Sequence, residues 1–438
     1  MRKQIADNRF RSNNIFIYLL IFKVVIEFVY VSYIFPIYSY SGLTLDINIV
    51  GYGISTIYLL IMVLFSPKDQ LRPSTYLFII MEVFLFTPML SFFWLNNKSI
   101  IYTSFVILSA IIISLVLKIK PFSFKIKIRN AKFWINYIFV IYILINVYLV
   151  LRRGGIDSRA FDFNTIYELR AENELSGTVV YLLNWCAKAF CPFFFTYFYY
   201  RKKYSMLLLI SILQLSLYLS FGNKSFLFSI ILIAMTSYFV KGNKFDYKFI
   251  NAISGINIVA YILSAFSFTN LFITTIPYRM HFVPAQIQYQ YYEFFSITKK
   301  MYFADGLIGK IFSIESPYGE ATSFMIGRIY SRVGANANTG IFSDAYANAG
   351  FIGMIVFAII FAFILYFVDS VTDRLPLYVV VGAYSYMIIV LVDTSLLTSM
   401  LTGGMGIMIF LLVLFNCNIE ACNIKDNAIK RSERIMEH

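Results

Sequence analysis

The chain has 438 residues, of which 59% are hydrophobic, 19% are aromatic and only 14% are charged. Soluble globular domains have about 25% charged residues, so this composition excludes that class. Runs of about 20 apolar residues recur, each long enough to cross a ~30 Å hydrocarbon core, and they predict an all-α, polytopic bundle of transmembrane helices.

The apolar runs predict about twelve spans, taken here in chain order. They cover residues 15–35, 47–66, 74–94, 99–117, 133–151, 178–199, 205–221, 224–240, 249–268, 350–368, 376–394 and 404–416. The first run is too long for a signal-peptide core and has no cleavage site after it, so we expect it to remain as a span. The seventh and eighth runs are short and are joined by a tight turn at Gly222-Asn223.

Positive charge is distributed unevenly between the segments that join these spans. With the N-terminus inside, the inner segments carry 23 of the 37 Lys and Arg residues against 9 acidic residues. This excess predicts the orientation by the positive-inside rule. Because the inner loops face anionic lipid, the basic balance does not call for a nucleic-acid partner, and we expect none.

The resulting organisation has four parts. They are spans one to nine in 1–268 with an external loop at 152–177, a large external loop at 269–349, spans ten to twelve in 350–416, and a cytoplasmic tail at 417–438.

The first external loop contains several arginines. Thr165 and Glu168 have the spacing of a capping box, which predicts a short helix over 166–175 that presents Arg170. Solvated charge at the membrane edge is one interpretation of these arginines. The other is a rim for phosphate, because the planar guanidinium binds phosphate oxygens bidentately.

The loop at 269–349 holds most of the remaining candidates. Its aromatic residues, Tyr278 and Tyr292 among them, are either interfacial anchors or stacking surfaces for sugars. The end of the loop is rich in Asn, Asp and Gly, which form turns but also hydrogen-bond sugar hydroxyls. Asn336, Asn338 and Asp344 lie in that part, just before the tenth span.

Charged residues inside spans are costly and are often functional. Lys23 and Glu27 are four residues apart and are expected to pair with each other. Glu82, Lys188 and Asp393 have no local partner. Lys188 and Asp393 lie near the predicted outer ends of their helices, where they could face a cavity.

Four short motifs resemble the Wzy-type oligosaccharide repeat-unit polymerases, which make O-antigen and capsular polysaccharide. They are ANTGIFSDAYANAGFIG at 337–353, PYRMHFVPA at 277–285, IYELR at 166–170 and GNKS at 222–225. The span pattern and the large loop before the tenth span fit this family along nearly the whole chain. The resemblance implies a multi-pass glycosyltransferase of the bacterial cytoplasmic membrane with its active site facing outwards.

The implied reaction joins undecaprenyl-pyrophosphate-linked repeat units. An acceptor hydroxyl attacks the anomeric carbon of the donor, with inversion, and undecaprenyl pyrophosphate leaves. Fixed cations stabilise the charge that develops on such a leaving group. The cations expected there are Arg170, Lys224, Arg279 and Arg328.

Asp344 is the first candidate for the base that deprotonates the acceptor, followed by Glu320 and His281. Further contacts with the substrate are expected from Tyr278, Tyr292, Arg332 and Asn338. We expect no metal and no other cofactor. The expected partners are the lipid-linked glycans and membrane lipid, with a chain-length regulator and a flippase of the same pathway.

Three other functions stay open at this point. An O-antigen ligase shares the general architecture but transfers finished chains to the lipid A core. A metal-dependent membrane glycosyltransferase would have paired acids in its first outer loop, where this chain has only Asp46. A lipid-linked oligosaccharide flippase would have short loops and two similar halves.

Overall fold

The fold is helical in every part of the chain that the structure describes. The structure is a computed structural model, and it describes residues 2–124, 126–161, 177–242, 245–331 and 334–419. Within these ranges the only β-type pairing is an isolated bridge between Asp46 and Asn96. The predicted all-α class is therefore confirmed for these residues.

The helices of the described ranges are numbered α1 to α16 in chain order. They are α1 (Ile15–Ser41, within a helix that begins at Arg2), α2 (Ile49–Phe65), α3 (Pro73–Leu95), α4 (Ile100–Leu117), α5 (Ala131–Arg152), α6 (Thr178–Tyr200), α7 (Tyr204–Phe221), α8 (Lys224–Lys241), α9 (Phe245–Ala265), α10 (271–297), α11 (Leu307–Phe312), α12 (Thr322–Tyr330), α13 (Ile341–Val371), α14 (Leu377–Val390), α15 (Leu396–Leu401) and α16 (Met405–Ile419).

Nine helices of the described chain are long and apolar enough to cross a membrane, namely α1, α3 to α9 and α13. The predicted second, eleventh and twelfth spans coincide with α2, α14 and α16, which are apolar but only 10–17 residues long. The membrane character follows from these helices, whereas the number of twelve spans stays a prediction. The short seventh and eighth segments do form separate helices, α7 and α8.

The segment before the predicted tenth span is more helical than the sequence indicated. Helix α13 begins at Ile341, nine residues before the predicted start at 350, and it contains a break at Ala349 and Gly350. Gly350 has a φ of 65°, which glycine adopts without steric cost. The predicted loop 269–349 contains α10, α11 and α12 as well, so most of it is folded as helix.

Two helices form the centre of the bundle. Helix α3 is almost entirely buried, and α14 packs against α3, α6 and α8. Helix α13 lies along α4. At the periphery, α5 exposes a row of large apolar side chains, including Phe133, Leu144 and Leu151. An apolar surface of this kind suits contact with lipid.

Within the described ranges, four helices contain a π-helical stretch, and each stretch ends two residues before a proline. The pairs are Tyr30–Ile34 with Pro36, Glu82–Phe86 with Pro88, Cys186–Phe190 with Pro192, and Thr274–Phe282 with Pro284. A proline ring clashes with the carbonyl four residues earlier, which here always lies inside the π-helical stretch. The wider π turn relieves that clash locally, and such turns are frequent at functional sites.

A buried ion pair between Arg72 and Asp369 connects the ends of α3, α4 and α13 on the side of the bundle predicted to face inwards. Arg72 Nε lies 2.8 Å from Asp369 Oδ2, and Arg72 also donates to the carbonyl oxygen of Ile119 at 3.0 Å, just beyond α4. The Asp369 carboxylate accepts the backbone N–H of Ser74 at 2.9 Å and thereby caps the start of α3. Asp369 lies near the end of α13, so α3, α4 and α13 share this one contact.

The predicted pair within the first span is confirmed. Lys23 Nζ lies 2.5 Å from Glu27 Oε1, and both side chains are buried. Trp94 Nε1 donates to the same Glu27 oxygen at 2.6 Å, and the Lys23 ammonium lies over the Tyr52 ring, 4.4 Å from its centroid. Glu82, for which the sequence offered no partner, accepts a hydrogen bond from Ser66.

Candidate functional site: a cationic cavity between α8, α10 and α14

A cavity of about 400 Å³ lies between α8, α10 and the end of α14, with α6 contributing to one wall. Its volume is within the ~300–1,000 Å³ typical of small-molecule sites. The polar and charged residues that line it are Lys188, Asn223, Lys224, Ser225, Ser229, Thr274, Thr275, Arg279, Asn336, Asn338, Tyr386 and Asp393. The rest of the lining is apolar, as in most ligand sites.

Within the part of the chain that the structure describes, four charged groups line the cavity, and three of them are cations from three different helices. Lys188 lies on α6, Lys224 begins α8, and Arg279 lies on α10. Asp393 is the single carboxylate among the described lining residues, which together have a formal charge of +2. A cavity lined in this way favours an anionic ligand.

Lys224 is positioned by the tight turn between α7 and α8. Gly222 ends α7 with a φ of 68°, and its N–H donates to the Tyr218 carbonyl at 2.8 Å. Glycine suits this left-handed position because it has no Cβ. Asn223 and Lys224 then follow immediately at the cavity, so the positive end of the α8 dipole adds to the lysine charge.

Arg279 and Lys188 both lie within π-helical stretches. Arg279 is exposed and lies two residues after Pro277, inside the stretch Thr274–Phe282. Lys188 lies in the middle of Cys186–Phe190, four residues before Pro192. The prolines therefore set the local helix geometry that directs both cations towards the cavity.

Asp393 lies in the turn that follows α14, and α13 holds this turn in place. The N–H of Ile341, at the start of α13, donates to the Leu391 carbonyl at 3.2 Å. Gly340 lies so close to the turn that an added Cβ would be 2.4 Å from the Val392 carbonyl oxygen. Thr394 Oγ1 donates to Asp393 Oδ1 at 3.1 Å, and the Asp393 side chain stays exposed towards the cavity.

Three of the residues selected from the sequence line this cavity: Lys224, Arg279 and Asn338. Tyr278 lies one layer behind them. Its ring stacks on Tyr38 with centroids 4.2 Å apart, and the Tyr38 hydroxyl is hydrogen-bonded at 2.6 Å to Thr274, which does line the cavity.

Other selected residues lie elsewhere in the structure. Glu320 and Arg328 form an ion pair with each other on the partly exposed surface around α12, outside the cavity lining. Tyr292 belongs to an aromatic cluster, with ring centroids 4.9 Å from Tyr102 and 5.1 Å from Tyr346. Arg170 and Arg332, and the predicted helix over 166–175, lie outside the described residues.

Asp344, the first candidate for the base, lies in the first turn of α13. It is half-buried and does not line the cavity. Its charged neighbourhood includes Asp305 and the hydroxyl of Tyr291. An acid in the first turn of a helix also has a structural role, because it interacts favourably with the helix dipole.

His281 is completely buried between the rings of Phe22 and Phe84, with centroids 5.5 Å and 5.4 Å away. Asn257 Nδ2 lies 3.4 Å from its Nε2. Burial lowers the pKa of His281 from 6.5 to about 3, so the ring is neutral at physiological pH. The unfolded chain therefore binds a proton that the folded chain does not, and stability is lost as the pH falls below about 6.5.

Sequence reasoning found the individual charges but not their common location. Lys188 and Asp393 were recognised only as unpaired charges near the outer ends of their helices, and Asn336 only as a polar residue of the loop. Among the described residues, no group of three or more His, Cys, Asp and Glu side chains is placed to hold a metal ion.

No protein-family model, curated protein or solved structure matches this chain.

Proposed function

We propose that this protein is a glycosyltransferase that joins undecaprenyl-pyrophosphate-linked oligosaccharide repeat units into O-antigen or capsular polysaccharide. The observation that carries the proposal is the cavity lined by Lys188, Lys224 and Arg279 together with Asn338. It combines groups for a diphosphate with groups for a sugar, and these are the two parts of the substrate on either side of the bond that breaks.

The cations suit the leaving group. As the bond between the anomeric carbon and the phosphate oxygen breaks, negative charge grows on the pyrophosphate, and preorganised cations lower the energy of that transition state. Arg279 is suited to bind two phosphate oxygens through its planar fork, whereas Lys188 and Lys224 act as point charges. The start of α8 adds backbone N–H groups that favour an anion.

The amides and hydroxyls suit the glycan. Asn336 and Asn338 are both exposed at the cavity, and each amide offers a donor and an acceptor to sugar hydroxyls. Hydroxyl groups of Ser225, Ser229 and Thr275 extend this polar lining. The apolar part of the lining, which includes Phe228 and Ile389, provides surface for the less polar sugar faces and the start of the lipid.

The location of the cavity is consistent with a reaction on the outer side of the membrane. Under the orientation predicted from the charge distribution, Lys224, Arg279 and Asp393 lie at or beyond the outer ends of their spans, and Lys188 lies near the middle of α6. A bacterial cytoplasmic membrane protein with this orientation would meet its lipid-linked substrate after the substrate has been flipped outwards.

The test is polymerisation by the purified protein in detergent or nanodiscs, supplied with a defined undecaprenyl-pyrophosphate-linked repeat unit. We expect a ladder of products that differ by one repeat unit, together with release of undecaprenyl pyrophosphate. Lys299→Ala, which changes an exposed residue outside the cavity lining, should give the same ladder. Unchanged substrate in the presence of folded protein would contradict the proposal. Transport of the substrate across a bilayer without a ladder would instead identify a flippase.

A further inference from the structure

Asp393 is the only acidic side chain among the described residues that line the cavity. It projects from the turn after α14, and more than a third of its surface is accessible. Its Oδ1 accepts a hydrogen bond from the neighbouring Thr394 hydroxyl at 3.1 Å. A carboxylate that is fixed in this way still has a second oxygen with which to accept a proton.

Charged and hydroxyl groups from four helices line the same cavity as Asp393. They are Lys188 from α6, Lys224 from α8, Arg279 from α10 and Tyr386 from α14. Lys188 is the cation whose charge interacts with Asp393, and the Tyr386 hydroxyl is engaged with Ser225. The carboxylate thus shares a cavity with cations that suit a diphosphate, although no close ion pair with Lys188 is formed within the described structure.

We infer that Asp393 is the general base of the proposed polymerisation, an assignment that rests on the proposed function. Its carboxylate takes the proton of the acceptor hydroxyl while that oxygen forms a bond to the anomeric carbon of the donor. The bond from this carbon to the phosphate oxygen breaks, and its electron pair leaves with undecaprenyl pyrophosphate. Asp393 then returns the proton to solvent, so no oxidant or further reactant is needed.

The position of Asp393 in the cavity suits the role of general base, for which the sequence suggested Asp344. Asp344 lies in the first turn of α13 and does not line the cavity, whereas Asp393 shares it with the proposed leaving-group cations. The two residues are connected through the backbone, because the start of α13 binds the turn that carries Asp393. Changes near Asp344 can therefore affect the reaction through the position of Asp393.

The experiment compares Asp393→Asn with the double variant Lys188→Met/Asp393→Asn in the polymerisation assay with a defined lipid-linked repeat unit. General base catalysis contributes about 10²–10⁴ in rate, so Asp393→Asn should lose that much turnover while its equilibrium binding of the fluorescently labelled repeat unit stays within a few-fold. The double variant should be equally slow. Glu315→Gln, the same change at an exposed acid outside the cavity lining, should be fully active.

If Asp393 only balances the charge of Lys188, removing both charges should restore turnover, and that result would overturn the assignment. An Asp393→Asn enzyme with near wild-type turnover would overturn it as well. If Asp393→Asn does not fold, Asp393→Ala with added formate replaces it, and a rate that does not rise with formate concentration counts against the base. Failure of the wild-type protein to make a ladder would instead refute the proposed function.

Discussion

Gly340→Ala is expected to slow polymerisation strongly through a displacement of less than about 1 Å. Gly340 precedes α13, and a Cβ there would lie 2.4 Å from the Val392 carbonyl oxygen and 2.9 Å from that of Leu391, whereas Cβ contacts below 3.0 Å are essentially never found. Both neighbours are backbone atoms, so the turn itself has to move by roughly 0.6 Å at Val392. Asp393 is the next residue and moves with it.

The size of the effect follows from the tolerance of positioned catalytic groups. A misplacement of about 1 Å costs on the order of 10²-fold in rate, so we expect polymerisation by Gly340→Ala to fall by about 10- to 100-fold. The shift also stretches the bond of 3.2 Å from Ile341 N–H to the Leu391 carbonyl. The loss of stability should be modest, because the rest of α13 remains packed along α4.

The assay is the rate of ladder formation by purified protein, with the unfolding temperature measured on the same samples. Gly53→Ala is the matched control, because no heavy atom lies within 4 Å of the added Cβ there and alanine is the better helix former. It should keep full activity. A folded Gly340→Ala protein with the wild-type rate would show that the turn carrying Asp393 does not need its present position.

Three further predictions concern other parts of the molecule. Arg279→Ala should reduce the rate of polymerisation by about 10²–10³-fold, and Arg279→Lys should also be slow because a point charge does not replace a bidentate fork. The control Lys299→Ala should keep the wild-type rate. Equal product ladders from all three variants would disprove the role of Arg279 in stabilising the leaving group. Between pH 7 and pH 5 the free energy of unfolding of the wild-type protein should fall by about 2 kcal/mol more than that of His281→Phe, since the pKa of His281 is 6.5 unfolded and about 3 folded. The same pH dependence in both proteins would contradict the burial of a neutral His281. Asp369→Asn should lower the free energy of unfolding by about 3 kcal/mol because it leaves the buried Arg72 charge without its partner, whereas Asp373→Asn, at an exposed position, should have a much smaller effect. Denaturant titration of both variants in micelles measures the difference. Equal losses of stability would refute the role of the buried pair.

Hydrophobic length and charge predicted the helices well, because both are properties of continuous segments. Each predicted span overlaps a helix, and the local pair of Lys23 and Glu27 follows from their spacing of four residues. The predicted start of the tenth span at 350 coincides with the break in α13 at Ala349 and Gly350. The helical part before that break was not predicted, since the polar sequence around Asp344 is typical of turns and yet packs as helix. Only tertiary contacts, such as that of Ile341 with Leu391, distinguish the two.

The candidate site was harder to predict because its residues are far apart in the chain. Lys188 and Asp393 are separated by about half of the sequence, and nothing in either local segment indicates that they share a cavity. One signal was present in the sequence: Pro192 and Pro284 each follow a candidate cation by four or five residues. A proline at that spacing inside a helical segment predicts a local distortion, and here the distortion is a π-helical stretch at the cavity.

Photo-crosslinking of the lipid-linked repeat unit from within the cavity tests directly whether the substrate binds there. Phe228 lines the cavity on α8 and is replaced by a photoreactive phenylalanine analogue, and Trp134 on the apolar surface of α5 is replaced in the same way as the control for non-specific lipid contact. We predict that the analogue at position 228 crosslinks the labelled repeat unit at low substrate concentration, that unlabelled repeat unit suppresses the product, and that Arg279→Ala weakens it, whereas position 134 gives none of this behaviour. An active protein that crosslinks the substrate no better from position 228 than from position 134 would place the substrate elsewhere and refute this cavity as its binding site.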